Sequence, residues 1–108
     1  MNRDELLEIY DAVVVANPNF QRKGKTMPYT SANGYMFSLV NKANELGIRL
    51  SKEDQKEFDA SYGAKPFISY GATMRDYVLI PEPLLSDHEV LGKYLQKGFE
   101  YVMSLPPK

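Results

Sequence analysis

Met74-Arg75-Asp76-Tyr77-Val78-Leu79-Ile80-Pro81-Glu82-Pro83-Leu84-Leu85-Ser86-Asp87 is the stretch that decides how this chain folds. Met74 to Ile80 carries aromatic and β-branched residues over strand length. Pro81 and Pro83 stop that strand, because proline has no N–H for the ladder and a fixed φ. Ser86-Asp87-His88-Glu89 then reads as a Ser-x-x-Glu capping box opening a helix. Val90, Leu91, Tyr94, Leu95, Gly98, Tyr101, Val102 and Leu105 recur at helical spacing, the strongest apolar stripe in the chain. Pro106-Pro107 ends it.

Upstream, Pro66 to Tyr70 reads as a strand, joined through Gly71-Ala72-Thr73 to the strand at Met74, and so antiparallel to it. Lys52 to Tyr62 is a short helix, capped by Ser51, with acid in its first turn and Gly63 as its stop. It offers only Phe58, Ala60 and Tyr62 for apolar contact. Ile48-Arg49-Leu50 is a short strand whose Arg49 points away from the core face, and Asn41 to Glu45 turns the chain into it.

Tyr35 to Val40 is a strand with Tyr35, Phe37 and Leu39 on one face and Met36, Ser38 and Val40 on the other. Both sets are largely apolar, which predicts a central position. Ala32-Asn33-Gly34 is a hairpin turn signal, and Thr26 to Thr30 reads as an edge strand because of Pro28. Phe20 to Lys25 is a polar connector with Arg22, Lys23 and Lys25. At the amino end, Asn2 and Glu5 form a capping-box pattern ahead of Leu6, Leu7, Ile9, Tyr10, Val13 and Val14, and Asn17-Pro18-Asn19 ends that helix.

The order is helix, two or three strands, short helix, two strands, long helix. It predicts one α+β domain over residues 1–108, an antiparallel sheet of about five strands with helices packed on it. With 44% hydrophobic and 25% charged residues the composition is that of an ordinary soluble globular domain. Thirteen basic and 14 acidic residues leave a net charge of −1, so no strong field draws nucleic acid or an anionic membrane. Absence of cysteine removes disulfides and thiolate chemistry, and a single histidine, His88, removes His-rich metal sites. Met1-Asn2-Arg3-Asp4-Glu5 has no apolar signal core, and no apolar run reaches membrane-spanning length, so a cytoplasmic setting is expected.

Several segments together resemble a known family. Met27, Asn33-Gly34-Tyr35-Met36-Phe37, Gly47-Ile48-Arg49-Leu50, Pro66-Phe67 and Met74-Arg75-Asp76-Tyr77-Val78 come first. Pro81, Leu85, Asp87 and Leu105-Pro106-Pro107-Lys108 complete the set. In order and spacing they are similar to the N-terminal domain of TfoX/Sxy-type competence regulators and its free-standing relatives. The resemblance implies a curved antiparallel sheet like that of secretion chaperones, and a cell of prokaryotic type. For full-length members it implies a transcriptional co-regulator with a second, helical domain, a role not carried over to this chain. Where the family usually has a glycine-rich turn, this chain reads Pro28-Tyr29-Thr30-Ser31. The family supplies no catalytic residues to transfer.

None of the phosphate-loop, dinucleotide, serine-hydrolase or zinc-protease motifs occurs. His88 falls in the first turn of a helix and reads as an exposed residue. Asp54 with Glu57, and Glu53 with Glu57, lie one helical turn apart on a mostly polar helix and read as a solvated face. Arg22, Lys23 and Lys25 read as a mobile basic loop. The remaining candidates are aromatic. Tyr29, Tyr35, Phe37, Phe67, Tyr70 and Tyr77 fall on strands, and alternation divides them between two sheet faces. Most such rings end in cores, yet the short helix has little apolar surface to cover a second face. An interface or groove of Tyr29, Tyr35, Arg49, Phe67, Tyr70 and Tyr77 is therefore expected. The function expected is a non-enzymatic binding or regulatory module that self-associates, or binds another protein, through its sheet. The alternative is a small-molecule site between the sheet and the C-terminal helix, lined by Tyr35, Tyr77 and Arg49. Neither reading uses a catalytic residue, cofactor or metal.

Overall fold

The first helix is set by its first residues. In the computed structural model, which describes residues 1–108, the Asn2 side chain accepts from the Glu5 N–H and the Glu5 carboxylate accepts from the Asn2 N–H. This reciprocal pairing satisfies two of the donors that a helix start leaves free. Helix α1 (Arg3–Val15) buries Leu6, Tyr10, Val13 and Val14 along one stripe. It is followed by β1 (Tyr29–Ala32), β2 (Tyr35–Val40), β3 (Leu46–Arg49), α2 (Lys52–Tyr62), β4 (Pro66–Ser69), β5 (Ala72–Leu79), α3 (Glu82–Leu85) and α4 (His88–Met103).

The strands form a single antiparallel sheet in the order β1-β2-β3-β5-β4. With four helices, this is the α+β architecture read from the sequence. Helices α1 and α4 pack on one face, where Leu6, Tyr10, Ile48, Val78, Leu91, Leu95 and Val102 join one core. Gly98 lets α4 approach closely: a Cβ there would lie 2.9 Å from the Arg49 carbonyl oxygen. Helix α2, capped by Ser51 and ended at Gly63 as expected, lies beside α4. Phe58 packs edge-on against Tyr94 at 5.1 Å, and Lys97 meets Asp54 at 3.4 Å.

Strand β2 departs from simple alternation. Thr30 pairs with Ser38, but Ser31 pairs with Met36, so Phe37 is an extra residue in a β-bulge. A bulge turns two successive side chains to one side. Phe37 joins the helix-side core, and next to it Ser38 reaches the Tyr10 hydroxyl of α1 at 2.6 Å. Met36 and Leu39 face the other way. The expected grouping of Phe37 with Leu39 is corrected accordingly. Thr30, Ser38 and Tyr10 form a buried hydroxyl chain, and burial pushes the Tyr10 phenol up to about 12, with the hydrogen bonds from Ser38 and Thr30 offsetting part of it.

Strand β5 is also irregular. Between the Pro66–Val78 and Ile68–Thr73 pairs, β4 advances by two residues while β5 advances by five. Asp76 sits in this bulge at φ 68. Its carboxylate accepts from Lys52 at 2.7 Å and from Gln55 at 3.2 Å. Burial alone would raise its pKa, but these hydrogen bonds and the nearby cations together hold it below the usual carboxylate value.

Four further boundaries differ from the sequence reading. Asp87, not Ser86, caps α4 by accepting from the Val90 N–H at 3.1 Å. Pro83 sits in the first turn of a short helix, where its missing N–H is not needed, so Pro81 to Leu85 winds into α3 and Ser86 ends it. The β4–β5 turn is Tyr70-Gly71 rather than Gly71 to Thr73. Strand β1 starts at Tyr29 rather than Thr26, and upstream of it Lys23 bridges Tyr29 through two backbone hydrogen bonds.

Candidate functional site

The second sheet face is closed by the sheet itself. Phe67 on β4 reaches across β5 to Gly47 on β3, where an added Cβ would lie 2.4 Å from ring carbons. Only glycine leaves room for that ring. Leu39, Phe67 and Tyr77 form a small buried cluster, ringed by Met27, Tyr29, Met36, Met74 and Leu79. Phe67 stacks on Tyr77 at 5.8 Å. The Tyr77 hydroxyl donates to the Met36 carbonyl at 2.9 Å, and burial raises its pKa, with Arg49 partly offsetting it. Three of the six residues expected at an open surface, Tyr29, Phe67 and Tyr77, thus belong to this second core, Phe67 at 0% exposure.

The curl brings β4 up to the β2–β3 turn. Asn41, 3% exposed, joins them. Its Nδ2 donates to the Ile68 carbonyl at 2.8 Å and to Glu45 at 3.0 Å. Its Oδ1 accepts from the N–H groups of Ala43 and Glu45, and its carbonyl accepts from Arg3 of α1. Every polar group of this buried side chain has a partner, as burial demands. The Ile68 carbonyl is already occupied, which blunts the edge of β4 against strand addition there.

Between these walls lies an open cleft of about 460 Å³, lined by Met27, Asn41 to Ala43 and Ile68 to Gly71. Two apolar side chains stand at its mouth. Ile68 is 53% exposed and Tyr70 69% exposed. Tyr70 and Gly71 occupy the two central positions of the hairpin turn at φ 55 and 74. This left-handed geometry matches the twist of paired strands, but a tyrosine in it is strained by on the order of 1 kcal/mol. The outward ring shows that strain tolerated at a surface position.

Tyr35 and Arg49 come together elsewhere. The Arg49 guanidinium, expected to point away from the core face, lies between the rings of Tyr35 and of Tyr101 on α4. The other sequence candidates are absorbed into the fold. Lys97 pairs with both Asp54 and Glu57, and Lys93 with Glu57, so these acids tie α2 to α4. Arg22 pairs with Asp11 at 3.2 Å, and Lys23 donates to Ser31, which fastens the basic connector. His88 is exposed at the start of α4. No group of three or more His, Asp or Glu side chains converges as a metal site would require. A second depression beside Val14, Val15 and Phe20 is flanked by the Arg22–Asp11 pair and presents one isolated apolar side chain, Val15.

Ile68, Asn41, Met27 and Tyr101 were not among the site candidates read from the sequence. Ile68 did leave a signal: Phe67 and Ile68 are adjacent apolar residues on one strand, so one of them must face outward. Asn41 left none beyond its place in a turn. No protein-family model and no curated protein sequence matches the chain. No helix is long and apolar enough to cross a membrane.

Proposed function

We propose that this chain is a non-enzymatic binding module that self-associates through the β4–β5 hairpin, with the cleft beside it receiving the partner copy's Tyr70 or Ile68. The observation that carries this reading is Tyr70, an exposed aromatic kept at a left-handed turn position beside an exposed isoleucine and an open cleft. Aromatic anchors entering pockets dominate protein interfaces. The contact would be made by side chains, because Asn41 occupies the edge carbonyl of Ile68. A specific interface buries at least about 1,000 Å² in total, so the hairpin would form its centre and the cleft walls its rim. The likeness to TfoX/Sxy N-terminal domains favours a regulatory setting, and the reading keeps the cytoplasm as its compartment. Sedimentation velocity at micromolar to submillimolar concentration tests it. The expected result is a multiple of 12.3 kDa for the unaltered chain and a monomer for Ile68→Ser/Tyr70→Ser. A monomer throughout, or an assembly that ignores the double substitution, refutes it.

A further inference from the structure

Asn33-Gly34 is the only place in the chain where an asparagine precedes a glycine; Asn2, Asn17, Asn19, Asn41 and Asn44 precede Arg, Pro, Phe, Lys and Glu. Such a pair is chemically labile, because a nitrogen followed by no side chain is free to approach the asparagine Cγ. The fold needs this labile pair for two separate reasons. Asn33 and Gly34 are the central residues of the β1–β2 hairpin, at φ 56 and 84, where Asn-Gly is favoured. The carboxy tail also lies against Gly34, where an added Cβ would stand 2.7 Å from Lys108 Cβ. Asn33 is itself tied to that tail. Its Nδ2 donates to the Val102 carbonyl at 2.9 Å and to the Leu105 carbonyl at 2.8 Å, and its own carbonyl accepts from the Lys108 N–H at 3.3 Å. Next to it the Tyr35 hydroxyl donates to the Pro106 carbonyl at 2.7 Å.

We infer that Asn33 is a self-modification site, a deamidation site that the tail holds shut and whose conversion lets the tail go. In the reaction the Gly34 nitrogen bonds to Asn33 Cγ and the Cγ–Nδ2 bond breaks. Nδ2 leaves as ammonia, with the proton lost from the Gly34 nitrogen. Water then adds to either carbonyl carbon of the cyclic imide and opens it, leaving aspartate or isoaspartate at position 33. Closing the ring requires the side chain to turn from the tail toward Gly34 and give up both Nδ2 bonds, so the clasp sets the rate. Asn33 is half-buried and Gly34 exposed, which admits water once the clasp opens. The product does not close it again. Two donors have become an acceptor-only carboxylate facing two carbonyl oxygens, at the carboxy end of α4, where the helix dipole disfavours an anion. Isoaspartate further adds a backbone carbon to a two-residue turn that sets the register of β1 on β2. The change is one-way, and it does not depend on the hairpin self-association reading.

The test incubates the full chain at mildly alkaline pH, folded and in urea, and follows the peptide containing residue 33 by mass spectrometry and isoaspartyl methyltransferase labelling. The folded chain should convert at least about tenfold more slowly than the unfolded one, as for a group released only by local opening. Tyr35→Phe removes one bond from the clasp; it should speed conversion of the folded chain about two- to tenfold and leave the rate in urea unchanged. Asn33→Asp reproduces the aspartyl product, and the backbone order parameter of Lys108 should drop from the rigid range near about 0.85 to below about 0.6. Should Asn33→Asp fail to fold, the conversion rates of the parent and of Tyr35→Phe carry the test. Equal rates folded and unfolded, a folded-state rate that Tyr35→Phe leaves unchanged, or a Lys108 that stays rigid in folded Asn33→Asp overturns the inference.

Discussion

Replacing Gly47 by Ala adds a single methyl group at the point where the sheet closes on itself. That methyl would sit 2.4 Å from Cγ and Cδ2 of Phe67 and 2.6 Å from Cε2. Carbon atoms rest at roughly 3.5–4.0 Å, so the ring must withdraw by more than about 1 Å. It has little room, being fully buried against Tyr77 and Leu39. If the ring stays and the strands part, overpacking costs about 1–3 kcal/mol. If the ring is expelled, the loss approaches the ~3–5 kcal/mol of deleting a buried phenylalanine. About 3 kcal/mol is the expected value, a large share of the ~5–15 kcal/mol that stabilises most domains. At roughly 4–8 °C per kcal/mol for a domain of this size, thermal unfolding followed by circular dichroism should fall by about 12–24 °C. Shortening the ring should relieve part of the clash, so Gly47→Ala/Phe67→Leu should lose less than the sum of its two parts. A Gly47→Ala protein within about 0.5 kcal/mol of the parent, or strict additivity in the cycle, would refute the account of how the second face is closed.

Two further outcomes follow from the helix-side core and from the β5 bulge. Leu95→Ala should cost about 2–5 kcal/mol, because Leu95 is 1% exposed within the α4 stripe, and a urea-melt change below about half a kcal/mol would contradict that packing. Asp76→Asn keeps a residue type that tolerates positive φ while removing the charge. Because the folded-state pKa of Asp76 is lowered, its stabilisation is present above the unfolded value of about 3.9 and is lost as pH falls through the folded value. The parent should therefore exceed Asp76→Asn in stability at neutral pH, and the gap should close in acid; melts from pH 2 to 8 check it, and a gap that stays constant would remove the charge from the explanation.

Much of this fold was legible because its signals are local. The Asn2 and Ser51 caps, the Asn33-Gly34 turn and the α4 stripe are each decided within a few residues, and each is found where the spacing put it. What escaped depends on contacts between distant parts of the chain. The bulge at Phe37 has no mark within Tyr35 to Val40, since it arises from the register with β1. The burial of Phe67 and Tyr77 follows from curvature, which depends on the absence of a side chain at Gly47, twenty residues before Phe67. Strand periodicity sorts residues onto two faces but says nothing about whether one face folds over. For that reason a surface inferred from six residues separated into a closed cluster, a cation held between rings, and one exposed tyrosine.

The β1–β2 turn has a mechanical consequence. The Asn33 side chain donates to the carbonyls of Val102 and Leu105, and its backbone oxygen accepts from the Lys108 N–H. Tyr35 holds the Pro106 carbonyl. The tail after α4 is thus clasped to a hairpin on another part of the sheet, and its heading is set by that clasp instead of by fraying of a helix end. A dye, an affinity tag or a fused protein joined after Lys108 would leave the body from a defined anchorage, with its first residues oriented. Pulling on that point would load the β1–β2 hairpin before α4, making the carboxy end a stiff handle for force or distance measurements on this domain.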